Sequence, residues 1–577
     1  MELKTINDYS NIFGNEDFQL ETFQKLIPRE EAIKLCCYLS SKIYSNQDNK
    51  ETQLELINIF LSSQPENIKR KILNSFYNAN TKEINIFKQI YINEFLIYSL
   101  NHCEIFEYDK NNSEIDLIKL KAYLKIIEIY NNKYQIISNT SKEEYFETNI
   151  WPLVISQIKD NFEIYPFTPY LKTILFFHFI VKETNVKIQL RKYFNTLKQN
   201  PIDFLNYLIK IVTDAMNRNR SFVLKVDDIG DLFFSKFVFN QEEFEKSLDK
   251  NSYLMINPLF KFEEKGYFIY NYNYLANKIY TGFLFDFHKF ILSEKNDINS
   301  INIQSISNYR SFIGEYFTEK YLFRTLIRII FKEKFYKILF DNGKYRSFPD
   351  AIIFYKNNLI IFEIKDVSIN HKIFINKNYL EIREMLNNKY GSKEKGTGQL
   401  VKFLSNFSEK KYSQFLEKNG INVDPKKVKI FPVIIYTESA FDCPGFMNYL
   451  NRTFEKELME MFTEIQFQYV SNLSFIGIDF IIDHLDYISS YKTSFLKVLK
   501  EVNKETKKRK NKLNTRYKEG DLEKYNENFG SYYNDLFKPE TEKDYINFLN
   551  KEIDLVTIFK EILVESTSPP SESRILA

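Results

Sequence analysis

The residues whose types and spacing could do chemistry lie in one stretch, RSFPDAIIFYKNNLIIFEIKD, running from Arg346 to Asp366. Two greasy runs flank Asn357 and Asn358, residue types that tolerate a positive φ, so the stretch reads as an antiparallel β-hairpin. Strand side chains alternate, which puts Leu359, Ile361, Glu363 and Lys365 on one face and Ile360, Phe362 and Ile364 on the other. Apolar residues on both faces predict burial, and a carboxylate at the end of a buried strand is costly unless it meets a cation. Asp350 opens the partner strand, compatible with sharing that cation with Glu363. Two convergent carboxylates suit Mg2+, which keeps several waters and takes one or two protein carboxylates together with phosphate oxygens. A lysine beside them can position and help deprotonate an attacking water, while the metal stabilises charge building on the phosphate. Metal-dependent hydrolysis of a phosphodiester bond is the chemistry that fits.

Pro349-Asp350, twelve intervening residues, then Glu363-Ile364-Lys365 resemble the signature of the PD-(D/E)XK nuclease superfamily, whose fold is restriction-endonuclease-like. The surrounding order of elements, helix, three strands, helix, strand, is similar to that core over 309–490. The resemblance implies a metal site of Asp350, Glu363 and Ile364, a catalytic Lys365, and Mg2+ as cofactor with Mn2+ as a substitute. Many members also carry a glutamate on the first core helix. Here Glu315 and Glu319 stand one helical turn apart, reachable from one face, and the sequence does not choose between them. Gln399, in GTGQLVKFL, stands where some branches carry a glutamine. For partners, the resemblance implies nucleic acid, DNA ahead of RNA, and a homodimer or a partner protein by analogy with prokaryotic anti-phage defence and restriction systems. The alternative is a nucleic-acid-binding or assembly subunit that uses the nuclease fold as a platform without cutting on its own.

Other acid-x-Lys triplets occur, such as Glu263-Glu264-Lys265 and Asp424-Pro425-Lys426, but none ends a buried hairpin preceded by Pro-Asp. The loop from Gly391 to Gly398 lacks the Lys-Ser/Thr that a phosphate-binding loop needs after its second glycine. It reads as a loop beside the site whose Lys393 and Lys395 could touch nucleic-acid phosphates. The run KETKKRKNKLNTRYK (504–518), eight Lys/Arg to one Glu, offers Lys507, Lys508, Arg509 and Lys510 to phosphates and equally fits a solvated linker. The five histidines lack ligand spacing, and His178 in ILFFHFIV reads as a satisfied core residue.

These residues must be positioned by a large scaffold, because 577 residues exceed what a single core serves. Abundant Phe (55) and Tyr (40) against 14 Gly and 14 Pro imply long regular elements, mostly helical. Region 1–295 is expected to be helical, with a hairpin near 258–271. A polar linker follows at 293–308, and 309–495 is expected to form an α/β domain with a mixed sheet flanked by helices. Its later strands are VKIFPVIIYT (428–437) and LSFIGIDFIID (473–483). Residues 496–577 read as a basic, partly helical extension with a frayed tail. Formal charge is only +3, so any affinity for nucleic acid must come from local patches. Four cysteines without a CxxC pair, and an N-terminus without the apolar core of a signal peptide, imply a soluble protein of the reducing cytoplasm with no membrane partner.

Overall fold

The computed structural model describes residues 9–44, 49–78, 86–106, 114–132, 145–152, 154–155, 167–216, 221–294, 298–299, 301–345, 347–376, 378–392, 395–464, 466–490, 494–515, 521–537 and 545–567. It is a mixed α/β protein, chiefly helical before residue 300. Among the described residues no helix is long and apolar enough to cross a membrane. All four cysteines are unpaired and buried.

The apolar residues of the N-terminal helices, such as Phe23, Leu39, Phe60, Phe95 and Tyr123, form one core. It also takes in Phe260, Tyr270 and Tyr274, at or beside a three-stranded antiparallel sheet of β1 (Val223–Lys225), β2 (Leu259–Glu263) and β3 (Gly266–Ile269). Lys265 turns the β2–β3 hairpin at a φ of 58°.

A second core draws on Tyr44 and on residues from Phe146 to Ile562. This core includes residues on both sides of 295 and of 496. Helix Phe167–Glu183 brings Phe179 to 5.6 Å from Phe317. Helix Phe495–Thr515 stacks Phe495 on Phe362 at 5.8 Å.

At the centre of this core lies a six-stranded mixed sheet of β4 (Lys337–Phe340), β5 (Ala351–Tyr355), β6 (Asn358–Lys365), β7 (Lys429–Tyr436), β8 (Tyr469–Val470) and β9 (Ser474–Gly477). β4, β5 and β6 form an antiparallel meander, and β7 runs parallel to β6 with β8 and β9 along its other edge. The β5–β6 turn is Lys356-Asn357, one residue earlier than the asparagine pair suggests, with Lys356 at a φ of 52°. β9 is also shorter than expected: residues from Ile478 onward turn into helix Ile478–Asp483.

β6 is buried from Leu359 to Ile364, as a central strand covered on both faces must be. On one face Phe362 meets Phe323, Phe331 and Phe495. On the other, Phe354 of β5 packs near Phe407 of helix Thr397–Ser408. Pro432 sits inside β7, where a missing N–H would normally break a ladder. It falls between the β8 register, which ends at Ile430, and the β9 register, which starts at Val433. The gap in the outer ladder accommodates it.

Candidate active site

The hairpin carries its charges to one strand end. Ala351 pairs with Phe362, so Asp350 and Glu363 stand just past the last rung of the β5–β6 ladder. Asp350 Oδ2 accepts the backbone N–H of Ile364 at 2.7 Å, which fixes the first acid against the second strand. Glu363 and Lys365 share a face by alternation, and the Lys365 ammonium donates to Glu363 Oε1. Glu363 is 0 % exposed, and its other oxygen, Oε2, is buried with no hydrogen-bond partner. Lys365 Nζ also lies 3.5 Å from Gln399 Oε1, at the outer limit of a hydrogen bond.

Glu319 joins them and Glu315 does not. Helix Ile306–Phe312 continues into an eleven-residue π-type stretch, Ile313–Phe323, whose wider winding shifts which residues align. Glu315 turns outward and pairs with Lys320, five residues on, at 2.6 Å. Glu319 lies beside the Asp350 carboxyl, whose charge helps to raise it. The expectation that both glutamates serve one face is thus corrected.

Burial, then the neighbouring Glu363 charge, pushes Asp350 up to about 8. Burial, then Asp350, pushes Glu319 up to about 7. Glu363 is pushed up to about 7 by burial, against the opposing pull of Lys365. Burial alone would lower Lys365, but Glu363 and Asp350 outweigh it and hold the ammonium protonated. Fully ionised, three carboxylates against the Lys365 ammonium leave a formal charge of −2, which Lys320, acting on Glu319 from the outer side, only partly offsets.

Among the described residues no three His, Cys, Asp or Glu side chains stand together as a ready metal cage. The available set is the pair Asp350 and Glu363, which is what Mg2+ asks of a protein when phosphate oxygens and water fill the remaining positions. The orphaned Glu363 Oε2 fits that ion, since a buried carboxylate oxygen without a donor is otherwise costly. The Ile364 side chain is buried in the sheet, so only its backbone could meet a cation.

One residue of the site escaped notice in the sequence. Asp366, directly after Lys365, accepts the Thr318 hydroxyl on Oδ2 and the Thr437 hydroxyl on Oδ1, each at 2.7 Å. Nothing in its local pattern marks it, because both partners come from distant segments.

The basic residues fare unevenly. Lys393 lies outside the described residues, and Lys395 is exposed in the loop before helix Thr397–Ser408. The run expected at 504–518 belongs, as far as Thr515, to helix Phe495–Thr515. Arg509 is engaged within the protein: its guanidinium binds Glu505 at 3.2 Å, Glu527 at 2.5 Å and Asp535 at 2.7 Å. Lys507 donates to the Tyr469 hydroxyl at 3.0 Å, Lys510 lies 3.9 Å from Glu455, and Lys508 pairs with Glu505 at 3.1 Å while staying largely exposed. His178 is satisfied as expected, between the Tyr321 hydroxyl at 2.5 Å and Glu561 at 2.7 Å. No protein-family model, curated protein or solved structure matches the chain, so the residues themselves carry the functional reading.

Proposed function

We propose that the chain is a metal-dependent nuclease that hydrolyses phosphodiester bonds of nucleic acid, with Asp350, Glu363 and Lys365 at its centre. The observation that carries the reading is Glu363: fully buried, one oxygen on Lys365, the other unpartnered, with the Asp350 and Glu319 carboxyls close by. Buried carboxyls raised by desolvation and gathered beside a lysine are an arrangement that active sites favour. The order of helix, antiparallel strands, helix and parallel strand supports a PD-(D/E)XK-like, restriction-endonuclease-like domain over 309–495.

Asp350 and Glu363 would hold Mg2+, or Mn2+ in its place, and the ion when bound supplies positive charge to the phosphate oxygens. The residues do the rest. Lys365, kept protonated and braced by Glu363 and Gln399, offers its ammonium to charge developing on the phosphate. Burial raises Glu319 and Asp350 alike, so Asp350 would have to be ionised before it could ligate a cation. The substrate is DNA ahead of RNA, and a setting in prokaryotic anti-phage defence rests on analogy alone.

The test is cleavage of plasmid, single-stranded DNA and RNA with Mg2+, Mn2+ or EDTA, beside Asp350→Ala and Lys365→Ala. Cleavage that needs the metal and both side chains is expected. If neither metal supports cutting that these substitutions abolish, autonomous nuclease action is refuted, and retained binding to nucleic acid would then favour the platform role.

A further inference from the structure

Asp366 is the point where three segments of the site are tied together. In the parallel register Lys365 of β6 lies beside Tyr436 of β7, so the next residues, Asp366 and Thr437, are neighbours where both strands end. Asp366 Oδ1 takes the Thr437 hydroxyl and Oδ2 takes the Thr318 hydroxyl, both at 2.7 Å. Thr318 immediately precedes Glu319 on the π-type stretch, and Thr318 is buried. The helix approaches so closely that a Cβ on Gly314 would stand 3.2 Å from Asp366 Cβ. Two hydroxyl donors from two elements on one carboxylate define the spacing between the helix and the strand end more tightly than apolar packing would.

We infer that Asp366 is a positioning residue of this site, clamping the Glu319 helix and β7 to the end of the strand that carries Glu363 and Lys365. The inference rests on the nuclease reading, because the clamp has a functional consequence only if those carboxyls gather a divalent ion. It acts through geometry and not through contact with substrate. The helix on one side of the clamp carries Glu319 and the strand on the other carries Glu363, so a small displacement there separates Glu319 from Glu363 and from Asp350, which is tied to that strand through the Ile364 N–H. Loss of such supporting hydrogen bonds around a metal site costs about 10-fold to 100-fold in metal affinity.

Mn2+ binding to the full chain, read by titration calorimetry and by the electron paramagnetic resonance of free Mn2+, tests it without reference to activity. Wild type, Asp350→Ala, Asp366→Ala, Asp366→Asn and Thr318→Val are compared, with near-ultraviolet circular dichroism to check folding. Asp366→Ala should weaken Mn2+ binding by about tenfold or more. Asp366→Asn should recover most of it, since its amide oxygen still accepts one hydroxyl and its amide N–H can donate to the other. Thr318→Val, nearly isosteric, should weaken binding with the folded signature intact, and it decides the matter if Asp366→Ala does not fold. Wild-type affinity in Thr318→Val, or equal weakness in Asp366→Asn and Asp366→Ala, overturns the clamp while leaving the site standing. Absence of Asp350-dependent Mn2+ binding in the wild type overturns the site reading beneath it.

Discussion

The Asp350 carboxylate accepts the backbone N–H of Ile364 at 2.7 Å, although the β5–β6 ladder closes one pair earlier at Ala351 and Phe362. A side chain thus supplies the next rung, and it locks the first acid to the residue lying between Glu363 and Lys365. An amide oxygen can make the same bond, which separates the structural role of this position from its charge.

Asp350→Asn should therefore fold, and its cleavage should fall by at least about 100-fold. The same variant should be more stable than the wild type at pH 8 in EDTA, by chemical denaturation, because a buried charge has been removed. Lower stability at that pH would contradict the desolvation account of Asp350.

Stability of the metal-free protein should fall as pH rises from about 5 to 8. Asp350 is pushed up to about 8, and Glu319, Glu363, Asp442 and Asp483 to about 7, chiefly by burial. Between the ordinary carboxylate range and those values the folded chain retains protons that the unfolded chain has released. Each retained proton contributes a slope of about −1.4 kcal/mol per pH unit. Urea titrations at several pH values measure it; a flat or rising profile rules it out. Mn2+ should restore stability most at the alkaline end, where the carboxylates are ionised.

Glu319→Gln should lower cleavage by about 10-fold to 100-fold. Glu315→Gln, on the outward side with Lys320, should stay within about twofold. Steady-state assays on one substrate read both, and equal effects would sink the distinction.

Arg509→Ala should cost about 1–2 kcal/mol, because it removes a largely buried guanidinium from Glu527, Glu505 and Asp535 and leaves Glu527 without that partner. Lys508→Ala, at a largely exposed pair, should change stability by less than about 0.5 kcal/mol. A large loss of nucleic-acid binding in Arg509→Ala without a loss of stability would return that residue to the phosphate contacts.

Gly396→Ala should cost at least about 1 kcal/mol. The residue sits at a φ of 52° at the start of the helix bearing Gln399, and a Cβ there would fall 2.1 Å from the Tyr390 carbonyl oxygen. Denaturant midpoints compare the two proteins directly, and an unchanged midpoint would show that the loop can relax.

The sequence made Asp350, Glu363 and Lys365 legible because a strand has a period of two, and alternation needs no knowledge of neighbours. Glu319 was not separable from Glu315, since ordinary helical spacing gives them one face and only the wider π-type winding sends Glu315 to Lys320. Arg509 looked exposed within a basic run because two of its partners, Glu527 and Asp535, arrive from segments 18 and 26 residues later. Asp366 stayed silent for the same reason, its donors lying 48 and 71 residues away. The turn at Lys356 was misplaced by a single residue, since either asparagine that follows is a more usual host for a positive φ.

Phe179 lies 6.0 Å from Phe312 and 5.6 Å from Phe317, Phe176 lies 5.2 Å from Phe317, and His178 bonds Tyr321. The helix that carries Glu319 is thus walled by rings from the first half of the chain. Without helix Phe167–Glu183 the Glu319 helix would present that aromatic flank to water. The carboxyl-bearing end of β6 is therefore reached, through that helix, by packing against helix Phe167–Glu183.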